Sequence, residues 1–294
     1  MLRTLLNDWN GLTVTSPLIE ALQTTPNVLS VELRPPRIEL GSAAGMDAWI
    51  DTYHSVKGLV RDGMFVFLTD SAVGAREENN LRHLVINLGT DVPRSHVIPF
   101  LTTKHSREYC LSYSENALQH GFSTMVVLGG DKSVGPPRCV EHAWQLRKDI
   151  RAHVPGLALG GWANPHQNPE AQVGYLADPQ FSAEFYLTQV VSHHDLPGVE
   201  AFLASQQRAG VGTPGIFGVF YYRSANPKTL ATLQQFLTVP ARALTAEFGS
   251  GQSAEAICAR SIRELRQAGA RHIYVSNLPT RGTRQTLERI LSLV

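Results

Sequence analysis

The chain has 294 residues and a formal net charge of +1, with 43% hydrophobic and 17% charged residues. This is the balance of a globular chain with a sizeable core, and scattered Lys and Arg leave no basic footprint for nucleic acid. No apolar run approaches the ~18 residues of a membrane span, and the three cysteines, Cys110, Cys139 and Cys258, form no CxxC pair.

The opening "MLRTLLNDWNG" has an apolar patch cut short by Asn7 and Asp8, a poor signal peptide. With the sparse, odd cysteine count this reads as a protein of the reducing cytoplasm. "PLIEALQTT" is expected to form a helix. Residues 1–27 are therefore read as a helical extension at the foot of the fold, and 28–294 as one domain.

Strand-like runs follow at intervals. They are "VLSVELR" (28–34), "MFVFLTD" (64–70), "HVIPFLTT" (96–103), "STMVVLGGD" (123–131), "LALGGWAN" (157–164), "FYLTQVV" (185–191), "GIFGVFYY" (215–222) and "HIYVSNL" (272–278). Each is short, apolar and rich in β-branched or aromatic residues, as buried parallel strands are. Helical stretches lie between them. "AWIDTYHSVKGLVRDG" ends in Gly63; "SREYCLSYSENALQHG" runs from a Ser106 cap to Gly121; "SAEAICARSIRELRQAG" runs from Ser253 to Gly269. Eight alternations closed by "TRQTLERILSLV" predict a single (β/α)8 barrel of the TIM type, preferred over an open doubly wound sheet.

In such a barrel the strand C-termini build the site. Polar residues there are Glu32, Thr69, Asp70, Thr102, Thr103, Lys104, Asp131, Trp162, Asn164, His166, Gln189, Tyr221, Tyr222, Arg223, Asn277 and Arg281. Acidic, amide and aromatic groups converging on one mouth suit a flat, hydrogen-bonding heterocycle better than a metal or a phosphoester. Glu32 stands out. An unpaired carboxylate in an apolar strand is costly, so it is paired, protonated or useful; pairing with Arg34 is the structural alternative. Asp131 could cap the next helix, although Gly129 and Gly130 before it allow close approach of a ligand. Gln189 could be satisfied by backbone carbonyls, Trp162 could be core, and Tyr222 could be core or platform. "SHHD" (192–195) invites a metal. Adjacent histidines in a strand point apart, and no carboxylate or Cys spacing supports a site, so a loop with Asp195 as helix cap is expected and no metal. "GGDKS" and "TRGTR" match no phosphate-binding motif.

Taken together, the motifs resemble methylenetetrahydrofolate reductase, the MetF-type barrel, from about Val28 to the C-terminus. "VELRPPR" is similar to that family's first strand and "FVFLTDSAVGAREEN" to its second strand and loop. "IPFLTTKHSREYCLSYSENALQHGFSTMVVLGGD" is similar to its third strand, helix and fourth strand. "PHQNPEA", "FYLTQVV" and "PGIFGVFYY" are similar to its fifth, sixth and seventh strand regions. Their order and spacing carry the likeness. It implies NAD(P)H-dependent reduction of 5,10-methylenetetrahydrofolate to the 5-methyl form, with FAD in the barrel mouth, in a cytoplasmic protein of one-carbon metabolism and methionine biosynthesis. Glu32 matches the family's general acid, and burial in an apolar strand would raise its pKa as that role requires. Asp131 and Gln189 match pterin contacts, and Tyr222 matches an aromatic on which folate or nicotinamide stacks. Thr69, Gly130, Asp131, Trp162 and His166 fall at flavin-side positions.

The departures lie on the flavin side. Phe100, Gly129 and Asp178 replace expected flavin contacts, and the helix after "NPEA" is about a turn and a half short. A folate-holding arginine aligns with Leu278, with Arg281 as its substitute. The resemblance thus implies a folate or related pterin as partner, no nucleic acid, no membrane and a homo-oligomer as one option. Two other readings stay open: a flavin-free reductase with direct hydride transfer, and a non-catalytic pterin-binding or regulatory barrel.

Overall fold

A computed structural model describes residues 16–36, 42–69, 88 and 92–294. The opening "MLRTLLNDWNG", Asp70 and the "SAVGAREEN" stretch lie outside the described residues.

All eight expected strands are present: β1 (Leu29–Leu33), β2 (Phe65–Leu68), β3 (Val97–Thr102), β4 (Thr124–Leu128), β5 (Ala158–Ala163), β6 (Phe185–Val190), β7 (Gly215–Phe220) and β8 (His272–Ser276). They pair in parallel, each with the next in sequence, and β8 closes on β1. The result is a (β/α)8 barrel. The strands read as unbroken apolar runs because both faces are buried. Outward side chains such as Val31, Val66, Leu101, Val127, Phe217 and Val275 join one core under the helices. Inward ones such as Phe67, Phe100, Val126, Phe185, Ile216 and Tyr274 fill the barrel.

Helix α1 (Pro17–Thr24) begins at Ser16, whose Oγ accepts from Ile19 N, and at Pro17. Its Leu18, Ile19 and Leu22 join the inward cluster and close the barrel's foot, where the helical extension was expected. Among the described residues the remaining α-helices are α2 (Ser42–Arg61), α3 (Arg107–Gln119), α4 (Ala143–His153), α5 (Pro169–Ala177), α6 (Leu196–Arg208), α7 (Pro227–Leu233), α8 (Ala241–Gly249), α9 (Ala254–Gln267) and α10 (Thr283–Leu291). Ser106 and Ser253 cap α3 and α9 through their hydroxyls. Helices α7 and α8 are inserted between β7 and α9, so they sit on the mouth side of the barrel. Among the described residues no helix is long and apolar enough to cross a membrane.

Two strand glycines make room for the ring layers inside. A Cβ on Gly218 would stand 2.5 Å from the Tyr274 ring, and one on Gly160 would stand 2.5 Å from Phe185. The Tyr274 ring crosses to β7, and its hydroxyl donates to Thr188 O at 2.6 Å. Phe67 meets Phe100 and Tyr274 edge-on, at 6.1 and 6.2 Å between centroids. This aromatic layer is the floor of the mouth.

Candidate functional site

Glu32 stands directly above that floor. The inward positions of β1 are Ser30 and Glu32, in line with Val28 just before the strand, and Glu32 is in register with Phe67 of β2. Its Oε1 accepts a 3.0 Å hydrogen bond from Ser276 Oγ, an inward residue at the end of β8. Burial pushes the Glu32 pKa up, and the Ser276 bond and the charge of Arg34 pull less strongly the other way. Arg34 itself is exposed, and among the described residues no ion pair engages Glu32. The structural alternative of a Glu32–Arg34 salt bridge is therefore not what the fold builds. The residue is half-buried, and burial makes its neutral form easier to reach than in a free glutamate.

Asp131 follows Gly130, whose φ of +70° takes the chain sharply off β4. Its Oδ1 accepts from both the backbone N and the Oγ of Ser133, each at 2.7 Å, and these bonds hold its pKa down. Asp131 thus caps a local turn, not the next helix, which starts only at Ala143. Gln189, an inward residue of β6, turns its Oε1 back on Val190 N at 3.0 Å, at a register irregularity between β6 and β7. Among the described residues its amide NH2 has no protein partner.

Trp162 projects from β5 onto the rim of the inward cluster, and Thr69 follows β2 with its N–H on Leu33 O. His166 Nε2 lies 2.8 Å from Val190 O, and its Nδ1 lies 3.8 Å from Asp195. Tyr222 is 7% exposed and packs with Leu230, Val239, Leu244 and Ile257 under the α7–α8 insertion. It is a member of a small satellite core, and burial raises its phenol pKa. Arg281 is exposed in the turn before α10. Arg223 also sits at the rim, donating to Asn277 O at 3.1 Å.

Two cations, Lys104 from the turn after β3 and Arg138 from the loop after β4, shape the mouth. Lys104 is buried, and its Nζ donates to Val134 O and Pro136 O at 2.7 and 2.8 Å. Arg138 folds back so that its guanidinium carbon lies 2.8 Å from where a Gly129 Cβ would be, and it donates to Gly130 O. Its Nε is buried without a partner among the described residues. The side chain missing at Gly129 is therefore replaced in space by a guanidinium from nine residues later. Phe100 belongs to the aromatic floor. Asp178 ends α5 at the foot end of that helix and accepts from Gln180 N, so its charge lies away from the mouth.

Sequence reasoning missed Ser276 and Arg138. Ser276 was legible in principle, since β8 alternates and places His272, Tyr274 and Ser276 on one face. Arg138 had no sequence signal, because a loop decides where it lands. Asp195 stands at the start of α6 as expected, but its carboxylate accepts from Ser192 N and Oγ, at 2.9 and 2.8 Å.

The closed parallel barrel gathers a half-buried acid, an amide and aromatic rings at its C-terminal mouth, the end at which barrels of this type carry their sites. Neither protein-family models nor curated proteins match the chain. Among solved structures it is similar to an uncharacterised protein from Clostridium thermocellum that binds two copies of 5-methyl-5,6,7,8-tetrahydrofolic acid. The TM-score is 0.66 at 15% identity, over 93% of this chain and 96% of that one. A second structure, an aldolase called QR15, matches at a TM-score of 0.45 and 12% identity, over 90% and 96% of the two chains. The first likeness supports the fold.

Proposed function

We propose that the chain binds a reduced folate or related pterin in the barrel mouth and reduces a methylene-tetrahydropterin to its 5-methyl form, with NAD(P)H as the source of hydride. The observation that carries this reading is Glu32: a half-buried carboxyl whose pKa burial raises, at the mouth end of β1. A protonated acid there can deliver its proton to the bridging amine nitrogen as the carbon–nitrogen bond of the methylene bridge breaks. The hydride then adds to the exposed carbon, and solvent returns a proton to Glu32. Asp131 and the free amide NH2 of Gln189 offer one acceptor and one donor for a pterin edge. The neighbour's 5-methyltetrahydrofolate is the product such a reaction would release.

A flavin, if held, would relay the hydride. Thr69, Gly130, Trp162 and His166 would be its contacts, and the Arg138 guanidinium would supply a cation beside Gly129. Arg281 and Tyr222 are kept as folate-side candidates, Arg281 for a glutamate tail and Tyr222 through the shape of the insertion.

The test begins with the absorption spectrum of the protein after incubation with excess FAD and desalting. NAD(P)H oxidation by wild type and Glu32→Gln in the presence of methylenetetrahydrofolate follows. Turnover that collapses in Glu32→Gln while folate binding persists supports the reading. Turnover unchanged by the substitution, or absent in the wild type with and without FAD, overturns it.

A further inference from the structure

Two histidines in the turn after β6, His193 and His194, converge with Glu247 of the inserted helix α8. His193 Nε2 lies 2.9 Å from Glu247 Oε1, and His194 Nε2 lies 3.1 Å from Glu247 Oε2. The two imidazole centroids are 3.9 Å apart. Because the pair sits in a turn and not in a strand, the rings do not diverge. The carboxylate that no local spacing offered arrives from 53 residues further along the chain.

From this geometry we infer a divalent-cation site of the zinc type, with His193 Nε2, His194 Nε2 and a Glu247 oxygen as ligands and a fourth position open to water. One ligand atom from each residue lies within 4.8 Å of the others. A tetrahedral ion bound at about 2.0–2.1 Å holds its ligand atoms about 3.3 Å apart, close to the 2.9 and 3.1 Å between each imidazole and its Glu247 oxygen. The cluster is enclosed but not sealed: side-chain exposure is 3% for His193, 19% for His194 and 14% for Glu247.

The hydrogen bonds behind the ligands point the same way. His193 Nδ1 lies 2.9 Å from Ser261 Oγ of α9, and that hydroxyl reaches Ile257 O at 3.2 Å. In the tautomer whose Nδ1–H donates to Ser261, with the hydroxyl proton on Ile257 O, Nε2 carries the lone pair that an ion needs. That lone pair and the Glu247 oxygen would then bind a cation between them. A second hydrogen bond fixing the ring of a ligating histidine is a regular feature of metal sites. One further cation faces the cluster. Arg260 approaches Glu247 Oε1 at 3.4 Å, but its closer partner is Glu264 at 2.7 Å, and it is half exposed. It can leave Glu247 when an ion arrives. A bound ion would pin the α7–α8 insertion to the β6 turn beside the mouth.

The experiment titrates the full-length protein, stripped by a chelator, with zinc alone and separately with cobalt. A chromophoric chelator competes for zinc, and the visible bands of cobalt report its coordination. One tight zinc per chain is expected. His194→Gln and Glu247→Gln should each weaken it at least about 100-fold, beyond the 10–100-fold usual for a lost supporting bond. Arg260→Gln, which removes the competing guanidinium, should tighten it and keeps the test readable if Glu247→Gln fails to fold. Zinc affinity equal in wild type and His194→Gln, or no tight site in the wild type, overturns the inference.

Discussion

Ser276 Oγ donates to Glu32 Oε1 across the seam where β8 closes on β1, at 3.0 Å. The acid of the first strand is therefore held by the last one, 244 residues away. The bond favours the charged carboxylate, so Ser276 tempers the upward push of burial.

Removing that hydroxyl should move the acid's titration. In Ser276→Ala the Glu32 pKa rises further, because a bond to the charged form is gone. The alkaline limb of kcat/KM against pH should move to higher pH, with a change at the optimum of less than about tenfold. A pH profile of the variant checks this; an unmoved limb would mean that another group titrates.

Glu32 should also link stability to pH. Its folded pKa lies above the ordinary 4.5, so the folded chain keeps a proton that the unfolded chain loses. The stabilising contribution of the neutral acid is complete below 4.5 and is lost as pH rises through the folded pKa. Glu32→Gln, neutral at every pH, should match wild type in acid and exceed it in Tm at neutral and alkaline pH. Calorimetry of both proteins across that range is the measurement. A Tm difference that shrinks as pH rises would contradict the assignment.

Beneath the acid, Gly218 and Tyr274 share one space. Gly218→Ala should cost about 1–3 kcal/mol by overpacking, and Tyr274→Phe about 1–3 kcal/mol by leaving Thr188 O without its buried donor. A Cβ at 218 would lie as close to the tyrosine oxygen as to its ring carbon, 2.5 Å in both cases. The double variant should therefore lose less than the sum of the two. Denaturant unfolding of the three variants tests this.

Lys104 is the post on which the 132–138 loop hangs. Lys104→Met removes an ammonium from two carbonyls at 2.7 and 2.8 Å. The freed loop should be cut by trypsin at the exposed Lys132 at least ~10 times faster, the signature of a cheaper local opening. The same variant should bind folate more weakly with a smaller effect on kcat, since Lys104 shapes the rim and touches no reacting atom.

Much of this molecule was legible before it folded. The eight strands could be read because parallel barrel strands bury both faces, so each is an uninterrupted apolar run. The Ser106 and Ser253 caps were legible because capping is a local bond between neighbours in sequence. Glu32 was legible as an anomaly, a carboxylate inside such a run. The α7–α8 insertion gave no comparable signal, and its burial of Tyr222 follows from packing against Leu230, Val239 and Leu244.

Sequence alone determined the barrel, its foot helix and the position of the acid, since these follow from periodicity, caps and the cost of burying charge. The tertiary structure alone decided the partners. Ser276 reaches Glu32 only because the barrel closes, Arg138 fills the space at Gly129 only because its loop doubles back, and Glu247 meets His193 and His194 only because an inserted helix lands on the β6 turn. Each is a contact between residues distant in the chain, and neither local propensity nor spacing encodes where such residues meet.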